Sequence, residues 1–271
     1  MRPLRCFAIT SMTQSKSSKP KRKIGLVGFG RTGKAVASVI LQHKGFSLEW
    51  VLRQSLLLEN RQVHEYLGVK SKDAGRIFSS AHITPAELLD KHPVDIIIDF
   101  SSRSGIHAYG EAAAERGVTI ISAISHYREE DVVLLHRLAE QTVTFWSPNI
   151  TLGVNYLLFA AKFLKKISPT VDIQIIEEHF KAKEGVSGTA VKIAETLKLE
   201  KSVINSVRAG GIVGRHEVIF GFPFQTVRLI HESISREAFG NGVIFVAENL
   251  EGKPAGFHTF ESILLPFFAT T

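Results

Sequence analysis

Six residues near the start of the chain's apolar body do most to limit its fold: Gly28-Phe29-Gly30-Arg31-Thr32-Gly33, a G-x-G-x-x-G run. The run follows a short apolar stretch at residues 24–27, which reads as a buried strand. It opens a helical pattern at residues 34–43, where Ala35, Val36, Val39 and Ile40 share one face before Gly45. Strand, glycine turn and helix together give the spacing its physical meaning. Gly28 allows the tight turn, Gly30 lets the backbone approach a pyrophosphate, and Gly33 lets the helix sit close to the strand. The helix N-terminus then offers unpaired N–H groups and partial positive charge to the phosphates. A dinucleotide is the expected ligand, and the competing reading is a glycine-rich turn that holds nothing.

The alternation continues. Residues 47–52 read as a second strand, and residues 53–75 carry no clear pattern. Thr84-Pro85-Ala86-Glu87 is a helix start, with a capping threonine, proline in the first turn and a glutamate three residues on. Strands are expected at 94–100, 118–121 and 143–146, and helices at 106–116 (ended by Gly117) and 129–141. This β-α-β-α order predicts a Rossmann-like, doubly wound parallel sheet in an α/β fold. After Pro148 the pattern changes. Helices at 154–166 and 187–197 are interleaved with strands at 172–179, 206–213, 217–222 and 226–233, which suggests a second α+β domain with a mixed or antiparallel sheet. Two closing helices are expected at 242–249 and 259–265. The expected division is a disordered basic tail over 1–23, a dinucleotide-binding domain over 24–149, a substrate-binding and oligomerisation domain over 150–240, and helices over 241–271 that return to the first domain.

Composition narrows the function. The net charge of +7 invites a nucleic-acid reading. Yet residues 1–23 hold seven basic residues and no acid, and removing those seven from 33 leaves 26 basic against 26 acidic residues. The body is neutral, so no nucleic-acid partner is expected. The arm reads as a plain tail, with an organelle transit peptide as the competing reading. The apolar runs are too short to span a bilayer, and no membrane partner is expected. The single cysteine, Cys6, removes a disulfide framework and a cysteine-built metal site; no histidine pair has metal-ligand spacing, so no metal is expected. A cytoplasmic location fits.

Two further segments carry chemistry. At the end of the second strand an acidic residue would bind the ribose hydroxyls of NADH, but the chain reads Leu52-Arg53-Gln54 there. The guanidinium of Arg53, with Arg31 close by in the turn, suits a 2′-phosphate and favours NADPH, with NADH still open. Farther on, Glu177-Glu178-His179-Phe180-Lys181-Ala182-Lys183 leaves a strand, and Ser187-Gly188-Thr189-Ala190 opens a helix. His179 can give a proton near neutral pH, Lys183 supplies positive charge, and the Ser187-Gly188-Thr189 turn suits a carboxylate. On these residues alone, a surface charge run before an ordinary serine cap explains the segment as well.

At this point the chain resembles the 4-hydroxy-tetrahydrodipicolinate reductases (dihydrodipicolinate reductases) of lysine biosynthesis. The resemblance rests on the glycine turn, VDIIIDFS at 94–101, Pro148-Asn149-Ile150-Thr151-Leu152-Gly153-Val154-Asn155 as an interdomain hinge, and Glu178-His179 with Lys183 before Ser187-Gly188-Thr189-Ala190. Residues 206–216 and His231, Ser235-Arg236, Phe239 and Gly242 extend it. It implies hydride transfer from a nicotinamide to ring C4 of an unsaturated cyclic dicarboxylate. It implies His179 as proton donor and Lys183 as its support and a carboxylate contact, with Ser187, Gly188 and Thr189 holding that carboxylate beside Phe180. The implied cofactor contacts are Gly28, Gly30, Arg31, Thr32, Gly33, Arg53, Phe100, Ser101, Ser122, Ala123 and Ser125, and the implied assembly is a homotetramer. Three positions depart from the family pattern. Phe180 replaces a second histidine, the loop between Lys183 and Ser187 is one residue short, and Ser122-Ala123-Ile124-Ser125 replaces Gly-Thr-Thr-Gly. Two other readings stay open: a reductase of another small amino or keto acid, and a cofactor-binding protein with a weakened site and a regulatory role.

Overall fold

The computed structural model describes residues 20–73 and 75–269. Most of the basic arm lies outside these residues, but its end does not. Strand β1 covers Arg22–Val27 and so begins inside the segment expected to be tail. The reason is local pairing: Arg22 N–H donates to the Gly45 carbonyl at 3.0 Å, and the Arg22 guanidinium donates to the Ala247 carbonyl at 2.7 Å.

Helix α1 (Arg31–Gln42) follows the glycine turn and starts three residues earlier than its apolar face indicates. The chain then builds β2 (Phe46–Arg53), α2 (Val63–Leu67), β3 (Arg76–Ser79), α3 (Pro85–Lys91), β4 (Ile96–Asp99), α4 (Gly105–Glu115), β5 (Thr119–Ser122), α5 (Glu129–Leu138) and β6 (Val143–Trp146). At the start of α3, Thr84 Oγ1 accepts from Glu87 N–H at 3.2 Å, and the Glu87 carboxylate accepts from Thr84 N–H at 2.9 Å. That is the reciprocal cap expected there. Next come α6 (Leu152–Ile167), β7 (Asp172–His179), α7 (Gly188–Thr196), β8 (Ile204–Arg208), β9 (Arg215–Phe222), β10 (Gln225–Glu232), α8 (Glu237–Asn249), β11 (Gly256–His258) and α9 (Phe260–Ala269).

Seven strands form one sheet in the order β11-β6-β5-β4-β1-β2-β3, every pairing parallel. Both faces are covered, which is why Ile96, Ile97 and Ile98 are all buried. Ile96 and Ile98 pack with α1, α8 and α9, while Ile97 packs with α3, α4 and α5 on the other face. The second sheet has the order β10-β9-β7-β8, with β7 parallel to β8 and the other pairs antiparallel. Its inner face (Ile173, Ile175, Val218, Phe220) packs on α6 and α7. The architecture is the expected α/β fold with a second, mixed sheet. The chain leaves the first half through residues 147–151 and returns to it through residues 233–236.

Three strands differ from the sequence expectation. β3 and β11 were not anticipated. The strand expected over 206–213 stops at Arg208, because the backbone turns at Gly210, whose φ is +47°. No helix among the described residues is long and apolar enough to cross a membrane.

Candidate functional site

The glycine turn adopts the geometry that its spacing demands. Gly28 has φ of +95°, and a Cβ there would lie 2.6 Å from the backbone of Phe100. A Cβ on Gly33 would lie 2.3 Å from the Gly28 carbonyl oxygen. A Cβ on Gly30 would meet nothing within 4 Å. Gly28 and Gly33 are therefore required by the protein's own packing, while Gly30 keeps open the space in front of α1. That helix has no side-chain cap and no acid in its first turn, so its N–H groups remain available to an anion. These features fit the diphosphate of a dinucleotide.

Two cavities adjoin this turn. The smaller, about 660 Å³, is lined by Gly28, Gly30, Arg53, Phe100, Ser101 and Tyr109, among others. The larger, about 1220 Å³, lies between the two halves of the chain; Thr32, Phe100, Ala123 and Ser125 line it from one side, Asn149, Gly188 and Thr189 from the other. Phe100 is common to both. Arg31 is exposed and Gly33 buried, and neither lines these cavities. Ser122 is buried, its hydroxyl 2.8 Å from that of Tyr127. Arg53 donates to the Leu57 carbonyl at 2.9 Å, which ties its head to the following loop.

Under the smaller cavity lies Asp99, fully buried at the end of β4. Its carboxylate accepts from Ser101 N–H at 2.8 Å, Ser101 Oγ at 2.6 Å and Tyr109 OH at 3.0 Å. Burial pushes its pKa up to about 6, against the opposing pull of the Ser101 and Tyr109 hydrogen bonds.

The second group of residues sits on β7, β8 and β9. Period two along β7 puts Ile173, Ile175, Glu177 and His179 on the inner face. His179 Nδ1 is 2.5 Å from Glu177 Oε2. Glu177 is fully buried and also accepts from Arg208 Nη2 at 2.5 Å, Ser206 Oγ at 2.6 Å, Arg208 Nη1 at 3.0 Å and Ser187 N–H at 3.3 Å. Burial alone would raise the Glu177 pKa, but hydrogen bonds from Arg208, Ser206, His179 and Ser187 overcome it and hold it at about 2. Arg208 goes on to donate to the carbonyls of Lys183 (3.1 Å) and Gly185 (2.7 Å), which shapes the short loop before Ser187.

Lys183 is half-exposed, and Phe180 is 44% exposed at the rim. Ser187 is buried with its hydroxyl 2.8 Å from His216 Nε2. Asn149 Nδ2 donates to Thr189 Oγ1 at 3.3 Å, joining the segment between the halves to α7. Gly188 and Thr189 thus face the larger cavity, whereas His179, Phe180, Lys183 and Ser187 line neither of the two cavities. No group of three histidine, cysteine or acidic side chains that could hold a metal occurs among the described residues.

Glu177, Arg208, Ser206 and Asp99 received no role from the sequence. One signal was available for Glu177, since strand periodicity places it beside His179. Arg208 and Ser206 enter only through the β7–β8 pairing, in which Glu177 faces Ser206 and His179 faces Arg208.

Comparison with known proteins identifies the family. Residues 22–150 match the family described as dihydrodipicolinate reductase, N-terminus, and residues 150–264 match dihydrodipicolinate reductase, C-terminus. A 4-hydroxy-tetrahydrodipicolinate reductase of Archaeoglobus fulgidus is 31% identical over 220 residues, covering 71% of this chain and 85% of that protein. One from Caldanaerobacter subterraneus is 31% identical over 196 residues, covering 64% and 78%. The fold is similar to that of the dipicolinate-bound dihydrodipicolinate reductase of Paenisporosarcina sp. TG-14, with a TM-score of 0.73, 18% identity, and coverage of 90% of this chain and 99% of the other. With both halves matched from residue 22 to residue 264, the chain belongs to the dihydrodipicolinate reductase family.

Proposed function

We propose that this chain catalyses the NAD(P)H-dependent reduction of 4-hydroxy-tetrahydrodipicolinate to tetrahydrodipicolinate, a step in lysine biosynthesis through diaminopimelate. One observation carries the reading: a single cleft is lined by Thr32, Phe100, Ala123 and Ser125 from the dinucleotide half and by Asn149, Gly188 and Thr189 from the other. In this reading residues 24–149 hold the cofactor, residues 150–240 hold the substrate and supply subunit contacts, and residues 241–271 return to the first half. The packing of α8 on α1 supports the return to the first half, which in the structure starts with α8 at Glu237.

When bound, the reduced nicotinamide supplies the hydride. The chain's own residues bind, orient and protonate. The N-terminus of α1 and Gly30 receive the diphosphate, with Arg31, Gly28 and Gly33 shaping the turn; Phe100, Ala123 and Ser125 wall the nicotinamide end, Ser101 lines the smaller cavity, and Ser122 backs the wall through its contact with Tyr127. Arg53 favours NADPH by pairing with a 2′-phosphate once its contact to Leu57 is released. Lys183, the hydroxyls of Ser187 and Thr189 and the N–H groups of Gly188 and Thr189 hold a substrate carboxylate, with the Ser187 N–H kept by Glu177 and Phe180 at the edge. His179 gives the proton.

A small dicarboxylate is the proposed substrate and the cytoplasm the proposed site of action. The proposed assembly is a homotetramer built on the outer face of the second sheet. There Ile230 is 54% exposed beside an ion chain from Arg228 through Glu217 and Arg215 to Glu178. Sedimentation of the purified chain tests the assembly.

The deciding experiment follows NADPH absorbance with enzymatically generated substrate. Turnover that is lost in His179→Ala and Lys183→Ala is expected, as is a drop in the NADPH-over-NADH ratio of kcat/KM in Arg53→Ala. Tight NADPH binding without turnover would instead point to a regulatory cofactor-binding protein, and turnover of another small acid to a different reductase.

A further inference from the structure

We propose that Glu177 is the positioning residue that decides which nitrogen of His179 carries the transferable proton. The inference rests on the reading of His179 as the proton donor.

The argument is one of hydrogen-bond accounting. Glu177 is fully buried, and every group that touches its carboxylate is a donor: both terminal nitrogens of Arg208, the Ser206 hydroxyl and the Ser187 N–H. A carboxylate so surrounded stays ionised and can only accept. The His179 Nδ1 atom, 2.5 Å from Glu177 Oε2, must then carry a hydrogen in the charged ring and in the neutral one alike. Nε2 is left as the atom that exchanges its proton. It stands beside Gly214, where a Cβ would lie 3.1 Å away, so the backbone leaves that nitrogen uncovered by any side chain of residue 214. During turnover the Nε2–H bond breaks as the new bond to hydrogen forms on the substrate. The ring is left neutral with its hydrogen on Nδ1, still held by Glu177. The ring plane is fixed at the same time, because Arg208 is anchored on the Lys183 and Gly185 carbonyls and holds the carboxylate in place. One ion pair thus couples the acid to the loop that carries Lys183.

The test uses the full chain with NADPH and enzymatically generated substrate. Glu177→Gln removes the charge and keeps the shape. We expect kcat to fall by about 10²-fold, with KM for NADPH and for substrate changing less than about threefold. The solvent deuterium isotope effect on kcat should rise as proton transfer becomes limiting. Glu177→Asp, which restores the charge, should recover part of kcat. In ¹⁵N-histidine spectra at alkaline pH the wild-type His179 should show the Nδ1–H form, and Glu177→Gln should shift it towards Nε2–H. If Glu177→Gln does not fold, Ser206→Ala decides: it removes one donor and should lower kcat by about threefold with a larger isotope effect. Wild-type kcat and isotope effect in whichever variant folds would overturn the inference, and so would an unchanged Nδ1–H form in Glu177→Gln. A loss that appears equally in the KM for NADPH would also overturn it, by marking a structural role. Full activity in His179→Ala would instead overturn the proton-donor reading, which keeps the two failures apart.

Discussion

Ser187 Oγ and His216 Nε2 lie 2.8 Å apart beneath the first turn of α7, with both side chains buried. Burial pushes the His216 pKa down to about 3, with electrostatic interaction with the neighbouring His179, His231 and Lys183 acting the same way and Glu177 opposing. His216 is therefore neutral wherever the protein works. In the tautomer with its hydrogen on Nε2 the ring donates to the Ser187 oxygen, and the serine hydroxyl hydrogen is then free for the proposed carboxylate. Replacing His216 by Phe should raise the KM for substrate by about tenfold, the worth of about one hydrogen bond, with a smaller effect on kcat. Steady-state kinetics at saturating NADPH measure it, and an unchanged KM would refute it.

Gly30 differs from its two neighbours in the turn. Its φ of −77° suits any residue, and a Cβ there meets no protein atom. Gly30→Ala should therefore leave the melting temperature unaltered while weakening NADPH binding by at least about tenfold, because a Cβ would enter the space proposed for the diphosphate. Calorimetry of both quantities checks it; a stability loss without an affinity loss would reverse the assignment.

Asp99 sets a pH dependence. Its pKa of about 6 in the folded chain exceeds the ordinary aspartate value of 3.8. Between these values the folded chain keeps a proton that the unfolded chain has released. Asp99 therefore contributes stability below about pH 4 that is lost as pH rises through about 6. Asp99→Asn should gain on the wild type across that interval. Melting curves from pH 4 to pH 7 test this, and parallel curves would contradict it.

Gly242 in α8 faces the Ile150 carbonyl oxygen so closely that a Cβ would lie 1.8 Å from it. The contact is to backbone, which has little freedom to yield. Gly242→Ala should cost about 1–3 kcal/mol, read as a lower denaturant midpoint, without changing the chemistry of the cleft once folded.

Much of the fold was legible because apolar runs such as Ile96-Ile97-Ile98 can only be buried strands when helical patterns separate them. The two strands that went unseen lie at the sheet's edges. β3 follows a segment with left-handed turns at Leu58 and Asn60, and β11 is three residues long. β8 was overextended because Ile212 and Val213 continue its apolar character past the glycines that end it. In the site, His179, Lys183 and the Ser187-Gly188-Thr189 turn could be read from local spacing. Arg208 could not, since it reaches Glu177 only after a strand 31 residues away pairs beside it. The neutral state of His216 likewise arises from its burial in the folded sheet, helped by neighbours on β7 and β10.

The polypeptide crosses between its two halves twice, at residues 147–151 and at residues 233–236. Two covalent tethers restrict relative motion far more than one, because each prevents the rotation that the other alone would permit. Any swing about the line joining the crossings is further restrained by the packing of α6 on α8 and α9 and by the Lys162–Glu261 ion pair. Thr189 and Phe100, on opposite walls of the cleft, are thus held in register by two backbone crossings as well as by side-chain packing.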